Sequence, residues 1–219
     1  MKFESVTFDL DGTLLDTVAD LAEASNRMLE ELALPTYSED EIRSFIGQGI
    51  AVLVERCLSR DQPPAPTQLA AAIESFKRHY AAVNGQKSAY FPGVLEGLQA
   101  WKATGLPMAV VTNKAAIFTE ALLERKGLAG YFDVVVSGDT TPHKKPHPAP
   151  LQHACQAMGR TAGRNLHIGD SIHDMHAARA AGSTGYCVPY GYNEGRAVHS
   201  EDCDAIVSDL MAALKLAQC

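Results

Sequence analysis

From about residue 85 onward, short apolar runs alternate with segments whose hydrophobic residues recur every three or four positions, and no other feature restricts the fold so tightly. The apolar runs fall at 106–111, 132–136, 165–168 and 184–188, with a last apolar pair at Ile206-Val207. Between them lie helical patterns at 115–125, 148–158 and 172–181, preceded by a helix carrying Leu95, Leu98 and Trp101 and followed by one from Leu210. Connections of this length suit crossovers rather than hairpins, so the strands should form a mostly parallel sheet.

One earlier strand, 6–10, belongs to the same pattern but is cut off from it by a helical block. Thr17 with Asp20 reads as a capping box, followed by a stripe of Val18, Leu21, Ser25, Met28 and Leu32 that Pro35 ends. Ser38 with Glu41 reads as a second box, opening a short helix that Gly47-Gln48-Gly49 closes. A third helix is expected over 50–58, a stiff linker over 61–66, and a fourth helix from Thr67 with Leu69, Ile73, Phe76 and Tyr80 on one face. The expected architecture is α/β: a Rossmann-like three-layer core with a parallel sheet, formed by 1–16 and 85–219, and an inserted all-helical domain at 17–84.

Composition narrows the function classes. No apolar run approaches the roughly 18 residues that span a bilayer, and Asp9 and Asp11 interrupt any secretory apolar segment. The formal charge of -7 argues against nucleic acid or an anionic membrane as partner, although a cation and a lysine or two can reverse the potential inside a cleft. Five widely spaced cysteines without a C-x-x-C pair suggest reduced thiols and a cytoplasmic location. The histidines, among them His167, His173 and His176, are expected on the surface or on helix faces, and Cys187 in the core.

Ligands of open parallel sheets bind beyond the carboxyl ends of the strands. Here those ends collect Asp9 and Asp11, Thr112 and Asn113, the Lys144-Lys145-Pro146 segment, and Asp170, with Asp174 one helical turn further. Acids that close repel one another unless a proton or cation is shared, and an oxygen-only set suits a hard ion such as Mg²⁺. Gly12 permits a sharp turn immediately after the two acids.

The stretch Asp9-Leu-Asp-Gly-Thr-Leu-Leu-Asp-Thr17, with Thr112-Asn113, Lys145-Pro146-His147-Pro148 and Gly169-Asp170-Ser171-Ile-His-Asp174, resembles the four ordered motifs of the haloacid dehalogenase superfamily of phosphohydrolases. That resemblance implies a nucleophile at Asp9, forming an aspartyl phosphate, and a general acid and base at Asp11. It implies Mg²⁺ held by Asp9, the backbone carbonyl of Asp11, and Asp170, with Asp174 binding the metal or orienting its water. Phosphate contacts are implied for Thr112, Asn113 and Lys145, with main-chain help from Gly12 and Thr13. The proline after it favours Lys145 over the adjacent Lys144.

The helical insert resembles the family's C1 cap, which implies substrate selection by its Gly47-Gln48-Gly49 loop and Arg43, although the glycines also suit plain helix termination. Further features, including Leu34-Pro35, Arg56 and Tyr190-Gly191-Tyr192-Asn193, are similar to bacterial phosphoglycolate phosphatases. The expected partner is a small phosphorylated metabolite, with 2-phosphoglycolate first, acted on by a monomer or small homo-oligomer. Alternatives are a phosphatase of sugar phosphates or 5′-nucleotides, a phosphosugar mutase, and a non-catalytic binding module on the same fold.

Overall fold

A computed structural model describes residues 2–59 and 62–219, so Asp61 of the expected linker lies outside the described residues. The chain opens with β1 (Ser5–Phe8) and a two-residue strand, β2 (Leu15–Asp16). Four helices follow: α1 (Val18–Glu31), α2 (Glu39–Phe45), α3 (Ile50–Leu58) and α4 (Pro66–Val83). After β3 (Ala89–Tyr90) and α5 (Val94–Ala103) comes β4 (Met108–Val111), then α6 (Ala116–Arg125), β5 (Val134–Val136) and α7 (Ala149–Ala157). The chain closes with β6 (Asn165–Gly169), α8 (Ile172–Ala181), β7 (Thr184–Cys187), β8 (Ala205–Ile206) and α9 (Leu210–Ala217).

Six strands form one sheet in the order β5-β4-β1-β6-β7-β8, every neighbouring pair parallel. One face packs Phe8, Val110 and Ile168 against Trp101 of α5, Leu122 of α6 and Leu210 of α9. The other packs Ala109, Val111 and Val136 against Leu151 of α7 and Ala177 of α8. Both faces being covered explains why the strands read as continuous apolar runs, and gives the three layers expected.

The central seam departs from that rule. On the face opposite Val6 and Phe8, β1 carries Ser5 and Thr7 beside Asn165 and His167 of β6, all buried. Asn165 Nδ2 donates to Thr7 Oγ1, and Thr7 Oγ1 lies 2.9 Å from His167 Nδ1. Buried polar groups persist only when partnered, and this ladder partners each one.

The helical block closes on its own apolar cluster, including Met28, Leu53, Phe76 and Tyr80. Of the two expected capping boxes, Ser38 with Glu41 forms. Thr17 makes no side-chain cap bond. Asp20, expected to complete that box, instead accepts from the N–H groups of Gly85, Lys87 and Ser88 at 2.8–3.0 Å and from the Ser88 hydroxyl. A fully buried carboxylate requires several donors, and the returning chain supplies more than the first turn of α1 could. Beside it β2 and β3 pair antiparallel, a contact too short to leave a periodicity in the sequence. Among the described residues no helix is long and apolar enough to cross a membrane.

Candidate active site

The strand ends β1, β4 and β6 deliver Asp9, Thr112-Asn113-Lys114 and Asp170 to one edge of the sheet. Lys145 reaches the same place from the loop after β5. Its Nζ lies 2.8 Å from Asp9 Oδ1, 2.6 Å from Asp174 Oδ1 and 2.6 Å from the Val111 carbonyl. Lys144 is exposed, so the buried lysine of the pair is Lys145, as the following proline suggested.

Oxygens of Asp9, Asp170 and Asp174 all lie within 4.8 Å of one another. Asp174 is fully enclosed and fully partnered: Oδ1 accepts from Lys145 and His167, and Oδ2 from the N–H and hydroxyl of Ser171 at the start of α8. Burial works against its charge, but Lys145 and His167 outweigh it and hold the carboxyl well below its usual range. Asp170 accepts from the Thr13 hydroxyl and from the N–H groups of Tyr192 and Asn193. A Cβ on Gly191 would stand 2.2 Å from Asp170, and one on Gly12 2.5 Å from it, so both glycines let backbone close over this carboxylate.

Asp9 is less well compensated. Burial, with Asp174 and Asp170 nearby, outweighs Lys145 and pushes its carboxyl up to about 8, while burial and Asp174 push Asp170 up to about 6. Asp9 Oδ1 is buried and meets the Lys145 ammonium as an ion pair at 2.8 Å. Three clustered carboxylates with one ammonium among them leave two negative charges in excess once all are ionised, which adds to burial in raising Asp9 and Asp170. A hard divalent cation fits that oxygen-only donor set, with Asp9 and Asp170 as its carboxylate ligands and Asp174 more occupied.

The second motif acid, Asp11, faces the helical block. Its two oxygens lie 2.9 and 3.0 Å from Nζ of Lys114, and Oδ1 also accepts from the Thr17 hydroxyl at 2.8 Å. Lys114 donates in turn to the hydroxyl of Tyr80 in α4, at 2.7 Å. Burial opposes the lysine's charge, but Asp11 and Tyr80 prevail and its pKa rises. Sequence reasoning passed over Lys114, whose only signal was its position directly after Thr112-Asn113 at a strand end. It also expected His167 on the surface or on a helix face; the side chain is fully buried in β6, oriented by Thr7 toward Asp174. Because Asp174 can only accept and Asn165 already donates to Thr7, the His167 proton sits on Nε2.

The remaining expected residues have these places in the hydrogen-bond pattern of the site. The N–H groups of Gly12 and Thr13 donate to the carbonyls of Leu15 and Leu10 at 2.9 and 3.4 Å, and the Thr13 hydroxyl donates to Asp170. The Asn113 side chain is spent on the Lys145 backbone and the Gly47 carbonyl, joining core to insert. Gly47 and Gly49 line the cleft with Thr112. Arg43 and Gln48 do not: Arg43 stacks on Tyr192 near Asp16, and Gln48 donates to Glu194, which also binds Arg56. Cys187 is buried in β7, as expected.

The model of the haloacid dehalogenase-like hydrolases matches residues 6–188, which include every acid and lysine of this edge. The chain belongs to that family. Among its haloacid dehalogenase-like relatives, the phosphoglycolate phosphatase of Thiobacillus denitrificans is 48% identical over 97% of this chain and 95% of its own. That of Escherichia coli K12 is 38% identical over 98% and 95%. The crystal structure of a predicted phosphoglycolate phosphatase from Haemophilus somnus superimposes with a TM-score of 0.92 at 32% identity, covering 100% of this chain and 99% of that one.

Proposed function

We propose that this enzyme hydrolyses a small phosphate monoester, 2-phosphoglycolate before others, through an aspartyl phosphate on Asp9. The observation that carries the reading is the clustering of Asp9, Asp170 and Asp174, with the Lys145 ammonium joining Asp9 to Asp174 and negative charge left over for a divalent cation. The full-length relatives named for phosphoglycolate support the choice of substrate.

In this reading an oxygen of Asp9 attacks phosphorus and the ester bond breaks opposite it. Asp11 gives a proton to the departing alkoxide, then takes one from the water that hydrolyses the acyl phosphate. Lys145 neutralises charge on both nucleophile and phosphoryl group, and Thr112 offers its hydroxyl to a phosphoryl oxygen. Mg²⁺ bound by Asp9 and Asp170, with the Asp11 carbonyl, would offset the repulsion between nucleophile and substrate. The helices of 17–84 act as a cap that excludes water from the first step and frames the leaving group. The reading places the enzyme among soluble cytoplasmic proteins.

Steady-state comparison of kcat/KM on 2-phosphoglycolate, hexose phosphates, pyridoxal phosphate and 5′-nucleotides with Mg²⁺ tests the substrate. 2-Phosphoglycolate should lead by a wide margin; a hexose phosphate or nucleotide in the lead refutes that choice.

A further inference from the structure

Lys114 is a buried ammonium with no place in the chemistry just described. Lys145 serves the nucleophile, and Lys144 is exposed with its ammonium beside Gly49. Lys114 is 6% exposed, lines the cleft alongside Asp9, Asp11 and Tyr80, and joins a core acid to a hydroxyl of the helical block. An ammonium bound to both oxygens of Asp11 also occupies the acceptor positions through which that residue would reach a leaving-group oxygen.

We propose that Lys114, steadied by the Tyr80 hydroxyl, is the binding site for the carboxylate of the substrate and thereby determines specificity. The inference rests on the phosphoglycolate reading and deepens it. In 2-phosphoglycolate one methylene separates the ester oxygen from the carboxyl carbon. If Asp11 serves the ester oxygen, a cation bonded to Asp11 stands one short step from the carboxylate. On binding, the substrate carboxylate replaces Asp11 as a partner of Lys114, and Asp11 turns to the ester oxygen. Substrates without an anion at that position leave Asp11 on Lys114, which selects against them by more than the loss of one contact. Among the described residues that line the cleft, Lys114 is the one cation, with Leu21, Ile50 and Leu53 apolar beside it; the Lys144 ammonium stands behind Gly49 and is exposed.

The test compares kcat/KM for 2-phosphoglycolate and for ethyl phosphate, which replaces the carboxylate by a hydrogen, in the Mg²⁺-loaded wild type, Lys114→Gln and Tyr80→Phe. Wild type should strongly favour 2-phosphoglycolate. In Lys114→Gln the ratio of the two values should fall about ten- to a hundredfold, the worth of one charge-assisted hydrogen bond. Tyr80→Phe, which keeps ring and ammonium, should lower it less. A folded Lys114→Gln enzyme with the wild-type ratio overturns the inference while the substrate reading stands. A wild type indifferent to the carboxylate overturns both. Should Lys114→Gln fail to fold, an unchanged ratio in Tyr80→Phe overturns the inference.

Discussion

The floor and the roof of the cleft are built on opposite principles. On the floor, Asp9, Lys145, Asp170 and Asp174 are fixed at the ends of parallel strands and the start of α8, every charge within reach of another. The roof is largely apolar, formed by Leu21, Ile46, Ile50 and Leu53, and its polar ties downward include Tyr80 through Lys114 to Asp11 and the Gly47 carbonyl to Asn113. The floor holds reacting charges in place with little freedom to relax, whereas the roof touches the floor through groups that can exchange partners. Chemistry common to many esters suits the first and selection among esters the second.

The largest break in this contrast comes from removing the nucleophile. Asp9→Asn should lower phosphate release by at least about 10⁴-fold while leaving the fold intact, as losses of nucleophiles do elsewhere. Near wild-type turnover by the folded variant, with deamidation excluded by mass spectrometry, removes the covalent role.

Next in size is stability. Asp174→Ala strips Lys145, His167 and Ser171 of a shared acceptor, and breaking a buried ion pair of this kind costs about 3–5 kcal/mol, readable as a lowered urea midpoint. A midpoint within error of wild type would show the floor to be looser than its hydrogen bonds imply.

The charge excess gives a pH-dependent expectation for the metal-free protein. Asp9 and Asp170 have folded pKa values raised to about 8 and about 6 from 3.8, so the folded state binds more protons than the unfolded one, and stability falls as pH rises from near 4 through those values. Asp174, lowered, has the opposite sign: its contribution is present above 3.8 and is lost only in stronger acid. Mg²⁺ held by Asp9 and Asp170, as proposed, would replace the protons on them, so the rise in Tm on adding it should be larger at pH 8 than at pH 5.5. Thermal melts at both values decide this, and an equal rise at the two contradicts the excess.

The smallest effect belongs to the rim between roof and core. Glu194→Gln weakens the bridge to Arg56 and Gln48, a partly exposed contact worth about 1 kcal/mol or less, so KM should rise a few-fold with kcat nearly unchanged. A large fall in kcat would mean that the rim shapes the floor as well.

Much of the floor was legible because topology carries it. Once alternating strands and helices imply a parallel sheet, the residues after each strand must share an edge, and Asp9, Thr112 and Asp170 are found there. The capping box at Ser38 and the span of α8 follow from equally local signals. The Thr17 box failed because Asp20 found better donors in the returning chain. Arg43 and Gln48 were expected to select substrate, but their side chains meet Tyr192, Asp16 and Glu194, partners that no local signal reveals.

Sequence by itself therefore determined the layers, the insertion and the acids of the floor, since each depends on periodicity or on a position relative to a strand end. Tertiary structure alone decided that Lys114 would meet Asp11 beneath Tyr80, that His167 would be buried against Asp174, and that Asp20 would tie the neck. These contacts join side chains remote in the chain, and a polar residue's partner is set by which donors and acceptors packing leaves within three ångströms or so of it.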